Sequence, residues 1–203
     1  MAQIPEQFTV DPESAIASFA FTDIATGLGF VAFLGIASED SGGIDFHLIT
    51  NALFAQPSGT RRSTQGTTTL DFDTAAFNLP RVAKGTAYFS AGMAVSANQS
   101  VKLLVQVKHV SNSTVTNITS EITSQTFTPS TTTSQMVFLE LPITEQHYKK
   151  GDFIRLTVKL NQVNEAGDSD VGHDPKNQTF QIIDPGTKDT TVMTLLMPFV
   201  IDI

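Results

Sequence analysis

The chain contains no cysteine and no tryptophan among its 203 residues. Without cysteine it can form no disulfide framework and carry out no thiol chemistry. Charged residues are scarce as well, at 16%, against about 25% in ordinary soluble domains. Its longest apolar run, residues 192–201, is too short to span a bilayer. These absences exclude disulfide-stapled, thiol-dependent and helical membrane proteins.

Positive charge is also in short supply. The net charge is -8, whereas phosphate backbones are bound by clustered lysine and arginine. The two basic pairs, Arg61-Arg62 and Lys149-Lys150, are typical of solvated loops. Residues 1–14 have neither the basic nor the apolar region of a secretory signal. We therefore expect no nucleic-acid partner, no membrane partner and synthesis in the cytoplasm.

The residues that are abundant favour β-structure. Hydrophobic residues make up 40% of the chain, and threonine alone about an eighth. Threonine is β-branched and suits the solvent face of a strand. Alternating runs separated by turn residues predict nine or ten strands at intervals of 8–15 residues, the spacing of a sandwich or barrel. We predict an all-β protein whose sheets bury one face each.

The pattern also predicts the domain organisation. Residues 1–20 are expected to form an extended arm and a short helix, with Asp11 as its N-cap and Pro12 in its first turn. Residues 21–203 are expected to form a single antiparallel β-sandwich. Its closing strand, residues 190–203, is apolar on both sides, so it is either central and covered or in contact with another subunit.

The most regular segment begins at the polar sequence Lys149-Lys150-Gly151-Asp152. The residues that follow alternate, which predicts that Ile154, Leu156, Val158 and Leu160 face the core and that Arg155, Thr157 and Lys159 face outward. Gly151 and Asp152 favour a tight corner before the strand. The tripeptide 150–152 is similar to a short integrin-binding sequence, but three residues carry little specificity.

Few residues suggest chemistry. The four histidines, at positions 47, 109, 147 and 173, lie in separate segments without a nucleophile motif or a cupin-like cluster, so we predict no catalytic residue. The irregular segment 161–177 is acidic. Its residues Asp168, Asp170 and Asp174, with His173 nearby, are a candidate calcium site because calcium prefers oxygen ligands in flexible loops. The alternative, a solvated acidic loop without metal, is favoured.

Residues 85–160 resemble the jelly-roll modules of virion surface and capsid proteins, especially phage head and decoration proteins. The resemblance lies in the strand "VKLLVQVKHV", in the pair of strands around "TPSTTTS", and in the corner "YKKGDFIRLTVKL". A similar corner occurs in the trimeric heads of complement and tumour-necrosis-factor-like proteins. The resemblance implies a jelly-roll sandwich that assembles as a homo-oligomer, commonly a trimer, and that has no catalytic site.

These observations together predict a virion structural protein, a capsid surface, decoration or minor capsid component that acts by homo-oligomeric assembly. Its expected partners are further copies of itself and other virion proteins, its location is the virion, and it is expected not to be an enzyme. No cofactor is expected apart from the candidate calcium ion. The alternative is a carbohydrate- or receptor-binding module of a fibre or adhesin, which the two tyrosines, Tyr88 and Tyr148, and the missing tryptophan make less favourable.

Overall fold

The structure is a computed structural model that describes residues 28–40, 43–50, 62–64, 66–163, 169–173 and 193–200. Every regular element within these ranges is a β-strand, which confirms the all-β prediction. The predicted arm and helix, residues 1–20, lie outside the described residues. No helix in the described part is long and apolar enough to cross a bilayer.

Twelve strands are present in the described residues. Their bounds in chain order are β1 Leu28–Asp40, β2 Gly43–Ile49, β3 Arg62–Thr64, β4 Thr67–Thr74, β5 Arg81–Val95, β6 Val101–Ser111, β7 Thr114–Asn117, β8 Ile122–Thr123, β9 Thr133–Tyr148, β10 Phe153–Gln162, β11 Ser169–Val171 and β12 Thr194–Val200.

Hydrogen bonds join these strands into one continuous sheet. Its main order is β9-β5-β12-β1-β2-β4-β10-β6-β7. In addition, β11 pairs with the C-terminal end of β5, β3 pairs with β11, and β8 pairs with β6. All described pairings are antiparallel except the short parallel contact of β2 with β4, where His47 faces Asp73 and Leu48 faces Thr74. This contact divides the sheet into a half that contains β5 and a half that contains β10.

The sheet folds back so that both halves share one core. His109 on β6 packs against Tyr148 on β9, with ring centroids 4.9 Å apart, although these strands lie near opposite ends of the strand order. The inward residues of both halves belong to one buried cluster, which includes Phe72, Phe89 and Leu156. A sheet with one apolar face gains most by closing that face on itself, since buried apolar area is the main stabilising contribution.

The alternation predicted for β10 is confirmed on its inner face. Ile154, Leu156, Val158 and Leu160 are all at most 1% exposed. Thr157, which was expected to face water, is only 2% exposed. Its hydroxyl donates to the Asp71 carboxylate of the neighbouring strand, so a polar side chain of β4 covers this position on the outer face of β10.

The predicted closing strand is present, and β1 and β2 form a hairpin. β1 and β2 pair from Leu34 opposite Ile49 to Asp40 opposite Gly43. β12 lies between β1 and β5. The closing strand is therefore central to its half of the sheet, which agrees with the interpretation that it is a central, covered strand. Six of its seven residues are buried or half-buried, which explains why its sequence is apolar on both sides.

Two details differ from the predictions. The strand number is twelve in the described residues, because short strands such as β7, β8 and β11 have no periodic signal of their own. The segment 161–177 is not wholly irregular, since β11 is buried between β3 and β5.

Candidate ligand-binding site

The corner between β9 and β10 is organised by the Asp152 side chain. Gly151 adopts a φ of 95°, a conformation that favours glycine, and turns the chain so that Asp152 is only 5% exposed. Asp152 Oδ2 accepts hydrogen bonds from the Lys149 backbone N–H and from His109 Nε2, both at 2.8 Å. The carboxylate therefore ties β6 to the corner.

This environment shifts the ionisation of Asp152. Burial raises the pKa of the Asp152 carboxyl. Hydrogen bonds from the Lys149 backbone, the Ser111 side chain and His109 lower it by more, so the pKa is about 2. Tyr148, the last residue of β9, is 1% exposed. Burial first, and the nearby Asp152 charge second, raise the pKa of its phenol. Asp152 is thus charged and Tyr148 neutral at neutral pH.

The same corner holds the loop that joins β4 to β5. The Phe77 N–H donates to the Asp152 carbonyl, and the Gly151 N–H donates to the Phe77 carbonyl, both at 2.8 Å. The Phe77 ring meets the Tyr148 and Phe199 rings edge-on, with centroids 5.1 and 6.1 Å away. Two backbone bonds and two ring contacts fix Phe77 at the end of the sheet.

Arg81, the first residue of β5, lies over this aromatic platform. Its guanidinium carbon is 5.2 Å from the Phe77 centroid and 5.6 Å from the Phe199 centroid, within the range of cation–π attraction. No carboxylate of the described residues lies within ion-pair distance of Arg81. Lys84 nearby is different, since it pairs with Glu145 at 3.0 Å.

Arg81 also separates two surface grooves. The smaller groove has a volume of about 460 Å³ and is lined by residues 80–82, 147–149, 199 and 200. Within it, His147, Tyr148 and Lys149 on one strand lie opposite Arg81 on the next. The larger groove has a volume of about 610 Å³ and opens where β2 meets β4. Its lining is mainly apolar and includes Val31, Phe33, Leu48, Ile49, Phe77 and Leu79.

The charges around Arg81 favour an anion. Lys149 forms no ion pair with a described residue, and Asp152 beside it is buried and bonded to His109. Asp73, which lines the larger groove, is neutralised by two hydrogen bonds from Arg155, at 2.7 and 2.6 Å. A guanidinium held by rings presents its N–H donors in a fixed orientation, which is the arrangement that binds carboxylates and phosphates.

Only one of the three predicted calcium ligands lies among the described residues. Asp170 lies in β11 and is 8% exposed, while Asp168 and Asp174 lie outside the described residues. His173 packs with its ring 5.8 Å from Phe46 and 6.0 Å from Phe72. No group of three metal-binding side chains occurs among the described residues, and the calcium site stays a prediction.

The remaining histidines occupy unrelated places. His109 belongs to the Asp152 corner, and His47 lies on β2 at the larger groove. His147 Nε2 is 3.4 Å from Glu145 on the exposed side of β9. Neither Arg81 nor Phe77 was predicted to be a site residue, because no motif surrounds them in the sequence. The signal that could have found Arg81 is the lack of any acidic residue within five positions of it.

Comparison with known proteins gives distant structural matches. No protein-family model and no curated protein matches the chain. A CocE/NonD family hydrolase from Staphylococcus aureus aligns at a TM-score of 0.46 and 10% identity, over 83% of this chain and 36% of that one. An aminopeptidase from a marine sediment Thaumarchaeota archaeon aligns at 0.40 and 8%, over 83% and 37%. An α-amino acid ester hydrolase aligns at 0.29 and 16%, over 64% and 24%.

These matches correct two predictions. The chain spans little more than a third of the length of the first two proteins, and the three proteins named above are enzymes by their descriptions. They contradict both the predicted virion structural function and the expectation that the protein is not an enzyme. Those predictions relied on a strand pattern and a corner, which many unrelated β-proteins share. The resemblance to virion proteins and the predicted location in the virion stay predictions.

Proposed function

We propose that this protein binds an organic anion that has an apolar body. The negative group of the ligand, a carboxylate or a phosphate, contacts Arg81 and Lys149. The apolar body lies in the larger groove against Phe33, Leu48 and Leu79. The ligand is thus an amphipathic acid rather than a free inorganic ion.

The observation that carries this proposal is the state of the Arg81 side chain. An exposed arginine usually contributes little binding energy to an ion pair, because holding its long side chain in one conformation costs entropy. Here Phe77 and Phe199 hold the guanidinium, and no described carboxylate uses its donors. An arginine that is already ordered loses less entropy when an anion binds, so the affinity gain per hydrogen bond is larger.

The larger groove supplies the apolar part of the site. Its volume of about 610 Å³ lies within the roughly 300–1,000 Å³ range of small-molecule sites. Leu79, on its rim, is 70% exposed, so a ligand that covers it removes apolar surface from water. Burial of each methylene contributes up to about 0.8 kcal/mol.

Titration calorimetry with acetate, hexanoate, octanoate and octanamide tests the proposal. We expect the affinity to rise about two- to fourfold for each added methylene. We also expect octanoate to bind at least about tenfold more tightly than octanamide, because only octanoate forms charge-assisted bonds to Arg81. Octyl phosphate in a parallel titration shows which head group binds more tightly.

Two variants locate the binding site. Arg81→Gln should remove the preference for octanoate over octanamide, and Leu79→Ser should weaken octanoate while leaving acetate unchanged. Lys84→Gln is the matched control, because Lys84 is a neighbouring cation that is already paired with Glu145. The proposal is wrong if octanoate does not bind, or if Lys84→Gln weakens it as much as Arg81→Gln does.

We also propose that the folded-back sheet is a jelly-roll-like sandwich. The support is that the half with β5 and the half with β10 bury their inner faces in one core. The short parallel contact of β2 with β4 is the place where the hydrogen-bonded sheet continues from one half to the other. An experimental structure of the whole chain tests this connectivity.

A further inference from the structure

β9 is a long strand with one unpaired edge. It contains 16 residues and pairs with β5 along one side. On the other side, the described residues supply one backbone hydrogen bond, from the Thr144 N–H to the Ile118 carbonyl at 2.8 Å. From Thr133 to Ile143 that edge has no backbone partner in the described structure, so it offers unused donors and acceptors to another strand.

The edge also has little protection. Natural proteins usually block such edges with lysine, proline or a β-bulge. The segment 133–143 has one charged residue, Glu140. Pro142 and the register irregularity beyond Ile143 lie at its end. Its first nine residues therefore form an open template for strand pairing.

Apolar side chains beside this edge are exposed. Met136 is 55% exposed and Phe138 is 63% exposed. Phe138 stacks on Tyr88, with centroids 5.9 Å apart and planes at 25°, and Tyr88 lies 5.9 Å from Phe30. We call Phe30, Tyr88 and Phe138 the aromatic row; it crosses the outer face of the sheet and ends at the β9 edge.

A surface groove lies next to β9. A groove of about 320 Å³ runs along residues 135–139 and is bounded on its far side by residues 123–125 and Phe127. None of its lining residues carries a charge. Adjacent strands lie about 4.8 Å apart, so a strand that pairs with β9 lies beside this uncharged groove.

We propose that β9 is the contact between two copies of this chain, which pair antiparallel through this edge about a twofold axis near Phe138. Phe138 then faces the partner's Phe138, and Met136 faces the partner's Glu140. This register places no like charges opposite each other, and it covers the exposed Met136 and Phe138. The aromatic rows of the two copies meet and form one continuous row.

A second copy suits the edge better than a foreign segment does, because twofold pairing satisfies the same edge in both partners at once. The contact is independent of the ligand site. Phe138 pairs with Ser90 of β5, nine residues beyond Arg81 (90 − 81), which is about 30 Å along the strand. Dimerisation and anion binding can therefore succeed or fail separately.

Disulfide trapping tests the register in a chain that has no native cysteine. Opposed residues on paired strands have Cβ atoms about 4.5–5.5 Å apart, close to the separation that a disulfide needs. We expect Phe138→Cys to form a covalent dimer under mild oxidation. Thr116→Cys, an exposed site on the opposite edge strand β7, is the matched control and should stay monomeric on denaturing gels.

Sedimentation velocity over a concentration series tests the contact itself. The native protein should be a dimer at tens of micromolar, and the variant with Met136→Lys and Phe138→Lys should be a monomer with unchanged circular dichroism. The variant with Met136→Thr and Phe138→Thr, which preserves β-propensity, should weaken the dimer at least tenfold. A native protein that is monomeric at all concentrations, a dimer that survives both variants, or cross-linking equal to that of the control overturns the proposal.

Discussion

Two arginines at the ends of strands show how differently this molecule uses the same side chain. Arg155 on β10 donates to both carboxylate oxygens of Asp73, and it lies 3.9 Å from Asp71 as well. The Asp73 hydrogen bond is the main reason that the pKa of Arg155 is raised. Arg81 on β5 has rings beneath it instead, and no described carboxylate takes its donors.

The difference separates a structural role from a binding role. Arg155 is satisfied by its own sheet and holds the outer face of β4 and β10 together. Arg81 is equally well positioned, but its hydrogen-bonding capacity is unused within the described residues. Substitutions around Arg155 should therefore change stability, whereas substitutions at Arg81 should change ligand binding.

The largest effect is expected at the corner that supports Arg81. Asp152→Ala removes the acceptor of the Lys149 N–H and of His109, and each buried polar group left without a partner costs about 1–3 kcal/mol. We expect a loss of about 3 kcal/mol in the free energy of unfolding, measured by urea denaturation. Asp45→Ala, at an exposed position, is the control and should change it by less than about 0.5 kcal/mol.

The same carboxylate predicts a dependence on pH. The pKa of Asp152 is about 2, against an ordinary value of 3.8, so the folded state favours the charged form. Its stabilising contribution is fully present above the unfolded pKa and is lost as the pH falls from about 4 to 2. Asp152→Asn should lack this part of the acid transition; an identical transition in the variant would assign it to other groups.

A smaller effect is expected at the Arg155 pair. Asp73→Asn removes the charge that Arg155 contacts, but both side chains are more than a quarter exposed. Such pairs contribute about 1 kcal/mol or less, so we expect a loss of that size. The loss should shrink in high salt, since salt screens exposed charges, and a loss that is independent of salt would show that packing is responsible.

The smallest effect on stability is expected at Arg81. Arg81→Gln removes cation–π contacts that contribute about 0.5–1 kcal/mol at exposed sites. The loss should not exceed that of Asp73→Asn, while the affinity for octanoate falls at least about tenfold. A stability loss larger than that of Asp73→Asn would make Arg81 a structural residue and remove the contrast.

The sequence predicts the parts of this fold that depend on local periodicity. Alternation identified the core face of β10, and the two-sided apolar pattern limited β12 to two interpretations, a covered central strand or a contact with another subunit. Thr157 was placed wrongly, because its burial depends on Asp71, 86 positions away in sequence. No local pattern shows which polar side chain of a neighbouring strand will cover an outward residue.

The candidate site could not be predicted in the same way. Asp152 and His109 are 43 positions apart, and Arg81 meets Phe199 only because β12 is inserted beside β5. The corner at Lys149-Lys150-Gly151-Asp152 was recognised as a turn, but its second role, the attachment of Phe77, needs the sheet to be closed. The functional prediction was wrong because it was drawn from strand pattern instead of from a site.

The most direct test follows the side-chain N–H signals of the four arginines by nuclear magnetic resonance during titration with octanoate. Arg81→Lys and Arg155→Lys assign the two relevant signals. The account predicts that the Arg81 Nε–H signal shifts in proportion to bound octanoate while the Arg155 Nε–H signal stays in place. Saturable binding that moves Arg155 and leaves Arg81 unchanged would contradict it.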